Sequence, residues 1–255
     1  MKNTFWISTA PRTGSMWLFN VVREIFVINK YSVFPDKIPK YDKDFLEIYN
    51  SKSAIDNNKF NKYVFKVHSP INSDLSNSKV LTTIRDPRDV CASYKKFMKS
   101  DFETAFTAAK GMIDFIKYYK SFDKDYLKFF KCEDIDNNSI ELILKIAKFI
   151  ECEINVDTAK LISEKFAKSK IRDLIKSNDE KLKNKIKNKE KVERSEVVFF
   201  SKENYRAFDM NTGFQTNHIS QHKSGEWRKA FSEKEIEIIN SDVEFKNFLK
   251  EYNYN

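Results

Sequence analysis

The turn joining the first strand of this chain to its first helix has one glycine to work with. Only four glycines occur in 255 residues, Gly14, Gly111, Gly213 and Gly225, and no two are close enough for a G-x-G-x-x-G turn. A Rossmann dinucleotide fingerprint is thereby excluded, because its tight turn, its close approach to pyrophosphate and its helix packing each require a glycine. None of the four precedes a Lys, so a Walker loop ending in G-K-[ST] is absent, and the spacing of a G-x-S-x-G nucleophile elbow cannot be met. Any phosphate cradle here is built around a single glycine.

The segments around Gly14 read as strand, turn and helix. Thr4-Phe5-Trp6-Ile7-Ser8 predicts a strand, and after Ala10-Pro11-Arg12-Thr13-Gly14 a helix starts near Ser15, with Trp17, Leu18, Val21, Val22 and Ile25 at helical spacing. Residues 30–60 are polar and irregular, with Pro35 and Pro39 marking loops. Tyr63–Val67 is a second strand ending at His68-Ser69-Pro70, and Lys79–Ile84 is a third that runs into Arg85-Asp86-Pro87. There Asp86 predicts an N-cap, Pro87 the first helical position, and Asp89 follows three after the cap.

Helical patterns follow at 103–120, 138–150, 156–168 and 234–250, with a short strand at 126–130. Alternating strands and helices predict an α/β fold: one domain over residues 1–255, with a central, mostly parallel sheet flanked by helices. With 41% hydrophobic residues and 23 Phe, core material is ample.

The net charge of +9 is concentrated. Lys165 to Arg194 holds twelve Lys and Arg against five Asp and Glu, a net +7, with few large apolar residues. Apart from Phe166 at its edge no aromatic interleaves with these lysines, which argues against a stacking groove for single strands and for a basic helical or mobile insertion at about 165–195. Nucleic acid is not expected as a partner. No apolar run approaches the ~18 residues of a membrane helix, and the polar start at Met1-Lys2-Asn3 does not read as a secretory signal. Cys91, Cys132 and Cys152 are odd in number and unpaired by motif, so they read as free thiols of a cytoplasmic protein.

A strand, a one-glycine turn and a helix opening at Ser15 make an anion site, since the first backbone N–H groups of a helix lack intrahelical acceptors. Arg12 adds charge, and Thr13 and Ser15 add hydroxyls; a plain N-cap at Thr13 or Ser15 is the alternative. Arg85 at a strand end and Ser93 eight residues later supply two donors on the same sheet edge, against the simpler reading that Arg85 pairs with Asp86 or Asp89.

Taken together these segments resemble the sulfotransferases that use 3′-phosphoadenosine 5′-phosphosulfate (PAPS). Ala10-Pro11-Arg12-Thr13-Gly14-Ser15-Met16-Trp17 is similar to their P-[KR]-[ST]-G-[ST]-T-W loop, and Arg85-Asp86-Pro87-Arg88-Asp89 through Ser93-Tyr94 to their R-[DN]-P-[RK]-D-x-x-x-S-Y segment. Lys66-Val67-His68-Ser69-Pro70 resembles K-x-H-x-P, and Gly225-Glu226-Trp227-Arg228 with Phe231 resembles G-[DE]-W-[KR]-x-x-[FL]. The resemblance implies a P-loop-like fold without the Walker lysine, and metal-free sulfuryl transfer from PAPS to an acceptor hydroxyl or amine, releasing PAP. It implies that Arg12, Thr13, Gly14, Ser15 and Met16 hold the 5′-phosphosulfate, that Trp17 stacks on adenine, and that Arg85, Ser93, Lys223 and Gly225 serve the 3′-phosphate.

His68 suits the general base, since imidazole is neutral and accepting near pH 7, and Arg12 suits the charge developing on the leaving oxygen. The acceptor is expected to be a small molecule; membranes are not expected, and oligomeric state is not legible. The chain departs from the family where R-K-G is usual, having Ser220-Gln221-His222, so one 3′-phosphate contact is missing or supplied by His222, Lys223 or the basic stretch. A metal site on His218, His222 and Glu226 is a further alternative, weakened by Ser224 and Gly225. A metabolite kinase shares the architecture but lacks its lysine, and a basic binding module would use residues 165–194.

Overall fold

A computed structural model describes residues 3–51, 59–71, 77–199, 205–219 and 224–254. Five parallel strands form the central sheet in the order β2-β3-β1-β4-β5: β1 (Thr4–Ser8), β2 (Val33–Phe34), β3 (Lys62–Val67), β4 (Ser78–Ile84) and β5 (Leu127–Lys131). β1 pairs with β3 from Thr4↔Tyr63 to Ser8↔Val67, and with β4 from Thr4↔Ser78 to Ile7↔Leu81. Every residue of β3 and β4 is buried, as expected of parallel strands covered on both faces.

The chain leaves β1, passes to the edge at β2, returns to pair β3 on one side of β1 and then sets β4 on the other. That reversal places the loops after β1, β3 and β4 side by side at the carboxyl ends of the strands, where open α/β sheets bind ligands.

Helices α1 (Ser15–Ile28), α2 (Asp42–Asn50), α3 (Pro87–Met98), α4 (Phe102–Tyr119), the single turn α5 (Asp134–Asn137), α6 (Ser139–Phe149), α7 (Val156–Lys165), α8 (Lys168–Lys187), α9 (Glu233–Ser241) and α10 (Val243–Glu251) flank the sheet. α1 buries Trp17, Leu18, Val21, Val22 and Ile25, the stripe its spacing predicts. The core is heavily aromatic: Trp6 stacks on Phe65 at 4.9 Å and packs edge-on to Tyr49 at 4.7 Å. A two-stranded antiparallel ribbon, β6 (Val197–Phe199) with β7 (Tyr205–Ala207), packs against α8.

Three expectations are corrected. Residues 30–60 are not all loop, because α2 forms there; only Phe45 of that helix is buried, so its apolar signal is weak, and its start is held by Asp44 accepting from the Tyr41 N–H at 3.2 Å. The terminal helix is two, broken at Asp242, which ends α9 and caps α10 by accepting from the Phe245 N–H at 2.9 Å. Neither Thr13 nor Ser15 caps α1: the N-cap is Gly14, with no side-chain cap.

Among the described residues no helix is long and apolar enough to cross a membrane.

Candidate active site

The loop after β1 turns through two left-handed positions, Arg12 at φ 68° and Gly14 at φ 93°. The left-handed backbone calls for glycine at 14, and a Cβ there would also lie 2.7 Å from Ile135 Cδ1 and 3.3 Å from Cys132 Sγ, so those side chains would have to move. Arg12 bears the strain of a non-glycine residue at positive φ, and its carbonyl is held by Arg85 Nη1 at 2.8 Å. The Thr13 hydroxyl ties the loop inward, donating to the Ala10 carbonyl at 2.7 Å and accepting from Thr83 Oγ1 at 2.7 Å. With Gly14 as N-cap and no acidic residue in the first turn, the N-terminus of α1 is left electropositive.

At the end of β4 the charges sort themselves differently from the simplest reading. Asp86 caps α3 and takes Arg88, whose Nε lies 3.0 and 3.1 Å from its two oxygens and whose Nη2 lies at 2.7 Å. Asp89 accepts the Gly225 N–H at 2.8 Å. Arg85 gives its Nη1 hydrogen bond to the loop of β1 while its charge still acts on Asp89, and its Nε is buried without a hydrogen-bond partner among the described residues.

Arg12 spans the two loops. Its Nε donates to Ser93 Oγ at 3.0 Å and its Nη2 to the His218 carbonyl at 3.0 Å, with the guanidinium 4.2 Å over the Phe97 ring. Arg206 lies against the same ring at 3.9 Å. Burial, with Arg85 and Arg206 close by, pushes the Arg12 guanidinium down to about 9; such a cluster of cations is stabilised by an anion.

At the end of β3, His68 Nδ1 lies 2.9 Å from Asp42 Oδ2 and His68 Nε2 lies 3.3 Å from Ser15 Oγ. Lys66, two residues earlier, donates to Asp42 Oδ1 at 3.1 Å. Burial and the Lys66 charge hold His68 below its ordinary value, so it is neutral near pH 7 despite Asp42. Burial alone would raise the Asp42 carboxyl, but the His68 hydrogen bond and Lys66 outweigh it and hold the group far below the usual range.

These three loops enclose one cavity of about 490 Å³, lined by Arg12, Gly14, Ser15, Met16, Trp17, His68, Arg85 and Ser93 together with Asp42 and Lys66. A family model described as the sulfotransferase domain matches residues 2–250. The chain belongs to the sulfotransferase family. Its fold is similar to that of retinol dehydratase in complex with androsterone and inactive cofactor PAP (16% identity, TM-score 0.60, covering 97% of this chain and 80% of the other). It is also similar to the mouse sulfotransferase SULT7A1 complexed with PAP (14% identity, TM-score 0.61, covering 99% and 88%). No curated protein matches the chain by sequence.

Within this sulfotransferase the residues expected at the site are not all placed alike. Thr13 is fully buried and its hydroxyl is engaged behind the loop, leaving only its backbone to offer the cavity. Gly225 stands beside α3 with its N–H given to Asp89, while its neighbour Ser224 reaches the cavity wall. Lys223, with Ser220, Gln221 and His222, lies outside the described residues. His218 follows a turn and Glu226 lies outside any α-helix, and His222, the third residue of the metal alternative, lies outside the described residues. The His218 ring packs against Phe97 and Phe214 at 5.8 and 5.6 Å, and burial beside Arg12 and Lys66 holds it well below its ordinary value.

The sequence reading of this sulfotransferase missed Asp42, which sits in a span taken as loop; Phe97, whose helical spacing reads as core, lines the cavity. The basic stretch, offered as one source of a missing contact, reaches the cavity at its start: Phe166, just before α8, and Lys168 and Ile171 of its first turn line the wall, and Lys168 pairs with Asp136. That pairing puts part of the basic stretch into the site.

Proposed function

We propose that this sulfotransferase transfers a sulfuryl group from PAPS to the hydroxyl of a small-molecule acceptor, in line, with His68 as general base. The acceptor oxygen forms the new S–O bond as its proton passes to His68 Nε2, the bond from sulfur to the 5′-phosphate oxygen breaks, and PAP leaves. The observation that carries this reading is the 3.3 Å approach of His68 Nε2 to Ser15 Oγ, which sets a neutral imidazole against the N-terminus of α1 within one cavity. Base assistance of this kind is worth roughly 10²–10⁴ in rate.

The chain's residues suit the donor. The backbone of residues 12–16 and the Arg12 fork would hold the 5′-phosphosulfate, and Trp17 would take the adenine; Arg85, whose Nε has no hydrogen-bond partner among the described residues, and Ser93 would take the 3′-phosphate, alongside Lys223 and Gly225 by resemblance. Arg12 would also steady the charge on the leaving oxygen. PAP in the retinol dehydratase and SULT7A1 structures supports the choice of donor. The cavity is also lined by Ile38, Phe208, Phe214 and Ile219, which suits an acceptor with an apolar body, as does the androsterone in the retinol dehydratase complex.

Labelled PAPS incubated with metabolite fractions tests the reading: a product gains sulfate with the wild type and not with His68→Ala, and the reaction persists in a chelator. Equal binding of the donor with and without its 3′-phosphate overturns the choice of PAPS, and ATP- and Mg²⁺-dependent transfer would instead establish a kinase.

A further inference from the structure

We propose that Asp42 is the positioning residue of this site: its carboxylate fixes His68 in the tautomer that carries hydrogen on Nδ1, leaving the Nε2 lone pair facing the cavity. The inference rests on His68 being the base.

Asp42 is the first residue of α2, and Asp42 Oδ2 accepts two hydrogen bonds from His68, one from its backbone N–H at 2.7 Å and one from Nδ1 at 2.9 Å. An ionised carboxylate accepts and never donates, so a 2.9 Å contact requires hydrogen on Nδ1. The other oxygen, Oδ1, takes Lys66 Nζ at 3.1 Å. Lys66 Nζ stands only 3.4 Å from His68 Nδ1, and with hydrogen on both atoms the two are donors converging on one carboxylate.

In neutral imidazole the second nitrogen is then a pure acceptor. That nitrogen is the one 3.3 Å from Ser15 Oγ. A substrate hydroxyl entering the cavity thus meets a lone pair.

The charges around His68 come from four segments: Asp42 on α2, Lys66 on β3, Arg12 in the loop after β1, and His218 in the 205–219 segment. Three of these groups are basic, and Asp42 is the one acid among them. Without it the imidazole would turn freely, and Lys66 would face it with no counter-charge. A carboxylate that merely neutralised Lys66 or favoured the N-terminus of α2 would leave the tautomer unset.

The test combines the His68 ring ¹⁵N spectrum with the kinetics of Asp42→Asn and Asp42→Glu. The wild-type spectrum is expected to show hydrogen on Nδ1. Asp42→Asn is expected to lose the tautomer preference and about 10²–10⁴ in kcat, the scale of a lost general base, with the donor KM little changed and the acidic limb of the pH–rate profile moved to lower pH. Asp42→Glu is expected to recover part of kcat. A wild-type spectrum with hydrogen on Nε2 overturns the proposal even if Asp42→Asn fails to fold, and so does a folded Asp42→Asn with unchanged kcat and pH profile. Wild-type turnover that survives His68→Ala marks failure of the general-base reading itself, separately from the tautomer.

Discussion

Arg12 Nε and Ser93 Oγ meet at 3.0 Å, joining the loop that follows β1 to the helix that follows β4. Eighty-one residues apart in sequence, the two sides of the proposed donor site are in contact through one guanidinium. The same group reaches the His218 carbonyl at 3.0 Å, so its fork is used in two directions.

Arg12→Lys is therefore expected to lose more than a conservative change suggests, because an ammonium cannot match a planar fork with two fixed directions. Turnover at saturating donor should fall, and Arg12→Ala should fall further, by about 10²–10³, as for loss of one donor to a developing negative charge. Stopped-flow or endpoint assays with labelled donor check both. Near-normal kcat for Arg12→Ala would remove Arg12 from the chemistry.

Gly14→Ala introduces a Cβ 2.7 Å from Ile135 Cδ1 at a backbone φ of 93°. Left-handed backbone alone costs a non-glycine residue roughly 1–2 kcal/mol, and the Ile135 side chain must also move aside. The expected result is a lower urea midpoint at unchanged slope, with weaker PAP binding by calorimetry.

Two histidines fix the direction of a pH effect on stability. His68 and His218 are both held below the ordinary 6.5 in the fold. As pH falls past that value, the unfolded chain takes up protons that the folded chain refuses, so stability is complete above about pH 6.5 and is lost as pH falls toward the folded values. Asp42 acts in a separate window: its carboxyl is depressed, so the stability it adds is present above the ordinary carboxylate value of 3.8 and is lost only below it. Urea midpoints measured from pH 7.5 to 5 should decline, and His218→Phe should flatten the decline.

Asp86 and Arg88 form a pair with side chains only 8% and 9% exposed, against the Trp227 ring at 5.2 Å. Removing one partner of such a pair leaves a buried charge and costs about 3–5 kcal/mol. Asp86→Ala loses the cap of α3 as well, whereas Asp86→Asn keeps a capping oxygen, so equilibrium unfolding should rank the wild type above Asn and Asn above Ala.

What the sequence made legible follows from how local each signal is. The strand–turn–helix about Gly14 and the Asp86-Pro87 helix start are written in adjacent residues, and both stand where the pattern put them. The assignment of Arg85 was not legible, because two acids beside it in sequence compete on paper; in space Arg88 and Gly225 occupy them. Thr13 looked like a hydroxyl donor to the site, yet its side chain direction depends on Thr83 across the sheet. Asp42 was least visible of all. It acts on His68 twenty-six residues away, from a short helix with one buried side chain, and no periodicity reports that meeting.

The strand order gives the site a lateral division of labour. β3 and β4 flank β1 on opposite sides, so His68 and Asp42 stand to one side of the shared loop, and Arg85 with Ser93 to the other. Asp42 on α2 accepts its side-chain hydrogen bonds from His68 and Lys66, both on the β3 side. Asp42 and Ser93 can therefore be substituted separately, one on each flank of the loop that carries Arg12.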